Sequence, residues 1–189
     1  MKPGNAIGFC LATTVLLTGF GCQQPDEKIA MDTTRPAELD YLDVWTGHWR
    51  VSTEVQLADG ETPRTATFDD SYRWVCNRHA LINEWTGKTP DGDEEGIGLW
   101  TWDPEKKRYR IWQVDSQGTM VTGTVARDAN GKTWNFEGTA QNTITGKLRT
   151  FEATANMTSD NTIRYVGKSW HDAWKLNPRS EFTGTARRK

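Results

Sequence analysis

Histidine and cysteine are scarce, three of each in 189 residues, and neither is arranged for chemistry. His48, His79 and His171 stand far apart, without the close spacing through which a hairpin or helix offers ligands to a metal. The chain has no G-x-S-x-G, no H-E-x-x-H, no cysteine–histidine motif and no phosphate-binding glycine loop. Charge of one sign is also missing. The formal net charge is −2, so composition gives no electrostatic case for a nucleic-acid partner. No helical period is sustained, and no apolar run reaches the ~20 residues that a spanning helix needs.

The run that comes nearest lies at the start, where Lys2 precedes "AIGFCLATTVLLTGFGC". It reads as a secretory signal over residues 1–21. "TGFGC" resembles a bacterial lipoprotein processing site with Cys22 as the first mature, lipid-bearing residue, although Gly19 replaces the usual leucine. Small Gly19 and Gly21 also suit ordinary cleavage. The expected location is the cell envelope, facing the periplasm or the exterior, with membrane contact through the anchor at Cys22. The polar, unpatterned "QQPDEKIAMDTTR" makes residues 22–35 a flexible tether. Cys10 leaves with the signal and Cys22 carries lipid, so Cys76 is left without a disulfide partner.

Tryptophan, by contrast, is abundant, with ten residues. Threonine is frequent too, and both suit half-buried strands. "TTRPAELDYLDVWTG" is the one helix candidate. Thr33 or Thr34 offers a cap, Pro36 fits the first turn, Leu39, Leu42 and Trp45 share a stripe, and Gly47 is a stop. From Trp49 the period becomes two: Trp49, Val51, Thr53, Val55 and Leu57 alternate with polar residues. Turn signals then recur along the chain, including Asp59-Gly60, "DPEKK" and Asn130-Gly131.

This punctuation predicts about ten strands, at 48–58, 64–76, 80–87, 96–102, 108–115, 119–127, 132–140, 147–156, 162–169 and 181–188. Their connections are too short for parallel crossovers. The expected fold is therefore all-β, one antiparallel up-and-down barrel over residues 36–189 behind a short helix. A two-sheet sandwich is the alternative, with 170–180 as its one longer connection.

A helix, then Gly47-x-Trp49, then a meander resembles the calycin group of lipocalins and fatty-acid-binding proteins. That resemblance implies that the Trp49 indole closes one barrel end beneath an arginine of the last strand, here Arg187 or Arg188 in "FTGTARRK". "LDVWTGHWRV", "GIGLWTWDPEKKRYRIWQVDS" and Trp174 are similar, more specifically, to the bacterial family known as domain of unknown function 1579. The likeness runs over residues about 36–188. Cys76-Asn77-Arg78-His79 departs from it by filling a turn where glycines are expected, and the last strand lacks an aromatic-x-arginine ending. The family implies no established catalytic residues. Some ten-stranded calycin-like barrels bind haem through one histidine, for which His171 in "SWHDAW" would be the residue; no cofactor is otherwise expected.

Tyr72, Trp74, Trp85, Trp100, Trp112, Trp134 and Phe136 are the expected lining of an interior. Each buried ring removes ~150–250 Å² from water, an upper estimate of about 4–6 kcal/mol. Burial alone does not separate a filled core from a lined pocket. In "RYRIWQVDS" either Ile111 or Trp112 can point inward, and Trp112 is the expected one. "DGDEEG" starts like a calcium loop, but its twelfth position is Trp102, and a solvated hairpin loop is the simpler reading. Asp69-Asp70 point to opposite faces, which makes them a poor acid–base pair. An enzyme would need some of His48, His79, His171, Asp69, Asp70 and Asp115 to cluster. The leading expectation is non-catalytic binding of a small apolar or amphipathic ligand. The alternative is an envelope module with a filled barrel, acting through its surface.

Overall fold

The computed structural model describes residues 34–57, 61–171, 175 and 178–189. The expected signal, Cys22, nearly all of the tether, Asp59-Gly60 and Trp174 lie outside these residues.

Ten strands follow one helix in chain order: β1 (Gly47–Leu57), β2 (Arg64–Val75), β3 (Ala80–Thr89), β4 (Gly92–Asp103), β5 (Arg108–Asp115), β6 (Thr119–Arg127), β7 (Thr133–Asn142), β8 (Leu148–Ser159), β9 (Thr162–Trp170) and β10 (Ser180–Arg188). Each pairs antiparallel with the next, and β10 returns to pair with β1, Trp49 opposite Arg188 and Leu57 opposite Ser180. The sheet is a closed up-and-down barrel. That last pairing excludes the sandwich, and closure leaves no unpaired edge.

The helix is a 3₁₀ helix, Ala37–Trp45. Its three-residue turn places Leu39, Leu42 and Trp45 in one row, and all three are buried. The N-cap falls two residues after Thr34, later than the threonines suggested. Pro36 holds the N-cap position with no side-chain hydrogen bond, and the last residues are closed by Thr46, whose N–H donates to the Asp43 carbonyl at 3.1 Å. The Tyr109 hydroxyl donates to the Glu38 carbonyl at 2.7 Å. The helix thereby plugs one end of the barrel, over a core of Trp49, Leu81, Trp100, Tyr109, Val125, Trp134 and Ile163.

Arg188 lies over the Trp49 ring, 4.4 Å from its centroid, and Trp49 Nε1 donates to the Trp45 carbonyl at 2.7 Å. The same guanidinium donates to the carbonyls of Thr46 and Val44. One side chain thus joins the helix end, the start of β1 and the end of β10. Arg187 alternates outward and is exposed.

The β4 boundary differs from the sequence expectation. "DGDEEG" is not a loop beyond its first two residues: the chain reverses tightly at Thr89–Gly92, helped by Gly92 at φ +124° and by Thr89 Oγ1 donating to the Gly92 carbonyl at 3.0 Å. Asp93, Glu94 and Glu95 are strand residues, and alternation turns Glu94 inward.

The turn between β2 and β3 holds three consecutive non-glycine residues at positive φ: Cys76 (50°), Asn77 (52°) and Arg78 (65°). Each costs about 1 kcal/mol in that region. Arg78 is held there by Asp43 at 2.9 and 3.0 Å, and its carbonyl accepts from Arg35 Nε at 2.6 Å. Asn77 is exposed and has no such tie. Asn77→Gly is expected to stabilise the fold by about 0.5–1 kcal/mol, whereas Arg78→Gly destabilises it; denaturant midpoints of the two variants check both signs.

Candidate functional site

A strand turns alternate residues inward, so the lumen is written in every second position. On the wall stand Val51 and Thr53 from β1, Phe68, Asp70 and Tyr72 from β2, and Asn83 and Trp85 from β3. Phe182 from β10 and Tyr165 from β9 continue the lining beyond β1, and Phe151 from β8 and Phe136 from β7 follow them. Between them is a cavity of about 410 Å³, within the range of small-molecule sites. Trp45 and Trp100 lie toward the plugged end, while Glu94, Asp115 and Thr119 line the end away from the helix.

Rings line this cavity without filling it because most of them lie flat on a glycine of the neighbouring strand. Phe68 is paired with Gly87, Trp85 with Gly96, Phe151 with Gly138, Tyr165 with Gly184 and Phe182 with Gly167. At Gly87, Gly96, Gly167 and Gly184 an added Cβ would fall inside the facing ring, and at Gly138 it would meet the Thr122 carbonyl first and the Phe151 ring at 2.9 Å. Asn83 uses Gly98 in the same way. The missing side chain makes a shallow recess, and the ring fills it instead of crossing the lumen. A barrel of ten strands is wide enough to keep the remaining space.

Of the expected lining residues, Tyr72, Trp85, Trp100 and Phe136 are at the cavity surface. Trp134 is fully buried in the plugged end, edge-on to Trp45 at 5.7 Å. Trp74 is beside the helix, where its Nε1 donates to Asp43 at 2.6 Å. Trp112 is a correction. It is 39% exposed on the outer face, and Ile111, 3% exposed, takes the inward position. Residues 108–115 mix polar and apolar residues equally on both faces, so alternation could not choose between them. Asp70 and Glu94 were missed as lining residues; their parity relative to Tyr72 and Trp100 was the available signal.

The polar centre of the lumen is Asp70. Burial pushes its carboxyl up from 3.8 to about 7, the charge of Asp69 behind the wall adds to this, and the Tyr72 hydroxyl donating to it opposes the rise. Tyr165 lies near enough to feel that charge, and its own hydroxyl is hydrogen-bonded to Thr53. Burial raises Tyr165 to about 12 and holds Tyr72 well above the usual phenol range. Asp69 points outward, as alternation requires, and is paired with Arg50 at 2.8 Å and Lys189 at 2.6 Å. Burial also raises Glu94, against the Trp85 Nε1 that donates to it at 3.4 Å.

Asn83, 2% exposed, accepts from Trp100 Nε1 at 3.1 Å. Trp45 Nε1 and Trp134 Nε1 are buried without an acceptor. Asp70 and Asp115 share the lumen, but Asp115 Oδ1 is occupied by the backbone N–H groups of Gln117 and Thr119 at 2.9 and 2.8 Å. None of the three histidines lines the cavity; His48 and His171 are exposed. Among the described residues no group of His, Cys, Asp and Glu is arranged to hold a metal ion, and no helix is long and apolar enough to cross a membrane.

Residues 36–177 match the family described as a protein of unknown function, DUF1579. The chain belongs to that family. No curated protein matches the sequence. Among solved structures, protein Rv2717c of M. tuberculosis is similar at a TM-score of 0.57 and 10% identity, covering 82% of this chain and 99% of that one. The S-type phycobiliprotein lyase CPES of Guillardia theta gives a TM-score of 0.55 at 10% identity, over 82% of this chain and 94% of the lyase. At such identities the likeness is one of fold.

Two consequences of this geometry are measurable. Between about pH 4 and pH 7 the folded DUF1579 chain holds on Asp70 a proton that the unfolded chain has released. Stability from this group is therefore lost as pH rises through that window. Asp70→Asn is expected to raise stability at about pH 8 by about 1–3 kcal/mol, discounted for an open lumen, and to change little at about pH 4, as read by denaturant midpoints. Gly96→Ala is expected to push Trp85 off the wall, at a cost of about 1–3 kcal/mol, and to shift the tryptophan emission.

Proposed function

We propose that this protein binds a small, largely apolar molecule in the lumen of its barrel and does no chemistry on it. The observation that supports this best is the cavity of about 410 Å³ lined by rings seated on glycines. A barrel evolved only for a solid core has no need of repeated glycine recesses that keep its rings out of the centre. The phycobiliprotein lyase, a barrel similar in fold, is compatible with this role. The apolar run before Cys22 supports an exported protein tethered to a membrane by lipid at that cysteine. On this reading Cys22→Ser releases the protein from the membrane fraction, and unchanged partitioning would refute the anchor.

The test of binding is titration with N-phenyl-1-naphthylamine, a neutral apolar fluorophore. A saturable rise in emission with one site per chain is expected, together with release of an organic mass from freshly purified protein on unfolding. Absence of both would overturn the reading.

One observation favours the second reading, action through the surface. Ile97, Leu99, Trp112, Val114 and Met120 are all exposed. Strand registers put Leu99 beside Trp112, and Val114 between Ile97 and Met120, so they form one apolar row on β4, β5 and β6. Rows of this kind often mark interaction sites. Trp112→Ser would abolish a surface-driven association and leave fluorophore binding intact.

A further inference from the structure

We propose that the occupant of the lumen is an amphipathic organic cation, an aromatic or alkyl body carrying one ammonium group that pairs with Asp70. This rests on the ligand-binding reading above and specifies the chemical class. Charge inside the cavity is one-sided: Asp70, Glu94 and Asp115 line it, and among the described residues no lysine, arginine or histidine does. An anionic ligand would meet only carboxyl groups there. A neutral one would leave Asp70 protonated up to about pH 7 and, above it, a buried carboxylate without a cation, which is costly. A cation meets both the carboxylate and the electron-rich faces of Tyr72, Trp85, Trp100 and Tyr165, the pairing by which aromatic cages hold ammonium groups.

The three acids are not equivalent. Asp115 is engaged by the backbone of its own turn. Glu94 stands toward the mouth with one long contact from Trp85. Asp70 is half-way along β2, receives one hydroxyl from Tyr72, and keeps its remaining acceptor capacity for a guest. Glu94 and Asp115 then act as an acidic mouth that draws cations inward.

A second observation is independent of charge. Trp45 lines the deep end of the cavity, is 7% exposed, and its Nε1 has no acceptor among the described residues. A buried donor left in that condition is costly. A guest whose ring reaches the box formed by Trp45, Trp100 and Phe136 offers its face to this N–H. The arrangement suits an arylalkylamine: ring at the floor, ammonium at mid-wall.

Protons compete with such a cation for Asp70. The groups that bear on this carboxyl are Tyr72 on its own strand, Tyr165 across the lumen, Asp69 behind the wall, and the more distant Glu94 and Asp115. Affinity for a cation accordingly increases as pH rises through about 7.

Three probes of one shape test the proposal in the intact protein by calorimetry: 1-naphthylmethylamine, 1-naphthylmethanol and 1-naphthoate. At about pH 8 the amine is expected to bind about tenfold or more tightly than the alcohol, and the carboxylate most weakly. The preference is expected to shrink several-fold at about pH 5.5 in the wild type, and to vanish in Asp70→Asn with the alcohol unaffected. Equal binding of amine and alcohol, or a preference that survives both the acid shift and the substitution, would overturn the assignment while leaving a binding barrel. Should none of the naphthalenes nor the neutral fluorophore bind, and no organic mass be released on unfolding, the ligand-binding reading itself falls. The wild-type pH series decides the matter even if the variant does not fold.

Discussion

The seating of aromatic rings on cross-strand glycines is the contact on which the rest of this barrel depends. A ring that buries ~150–250 Å² must leave water, and in a closed barrel the obvious place is the centre. Gly87, Gly96, Gly138, Gly167 and Gly184 offer another place, a recess in the wall directly opposite a ring on the next strand. Each pair shields bare backbone on one strand and apolar surface on the other. The apolar area is buried sideways, along the wall, and the middle stays empty. The same glycines let the strands bend, which closure of ten strands requires.

The two ends of the barrel are built on different principles. The plugged end is held by density: Trp45 touches Tyr72, Trp100, Trp134 and Phe136, and Arg188 clamps the helix to the first and last strands. The strain of three left-handed residues at 76–78 is carried by the same end, through Arg78 and Asp43. The other end carries hairpin turns and acidic side chains. The floor is thus closed by packed rings and the far end of the cavity is lined by acids. An acid such as Asp70 can be kept unpaired in the lumen only because the floor is stable without it.

The outer face carries its own departure from the usual pattern. Parts of β4, β5 and β6 turn apolar residues outward as well as inward, which gives the row from Ile97 to Met120. That row and the lumen are separate features on opposite sides of the same wall, so a surface role and an interior role do not compete for residues. Trp112 and Ile111, neighbours in sequence, belong one to each.

Strand number, order and most boundaries were legible from the sequence, because alternation and turn residues are local and the short connections allow only neighbouring strands to pair. So were the shared stripe of Leu39, Leu42 and Trp45 and the opposite facing of Asp69 and Asp70. The choice of Arg188 over Arg187 needed the register of β10 on β1, which fixes which of two adjacent residues turns inward. The side taken by Trp112 needed tertiary structure for the same reason, since a strand equally mixed on both faces has no phase of its own. The emptiness of the lumen was the least legible property. Composition counts rings and glycines but does not pair them, and only strand register puts each ring opposite the recess that receives it. The sequence by itself determined ten antiparallel strands paired in chain order, and the pairing of β10 with β1 closed them into a barrel. Cross-strand pairing, a relation between residues far apart in the chain, decided that the barrel is hollow and that its interior charge is acidic.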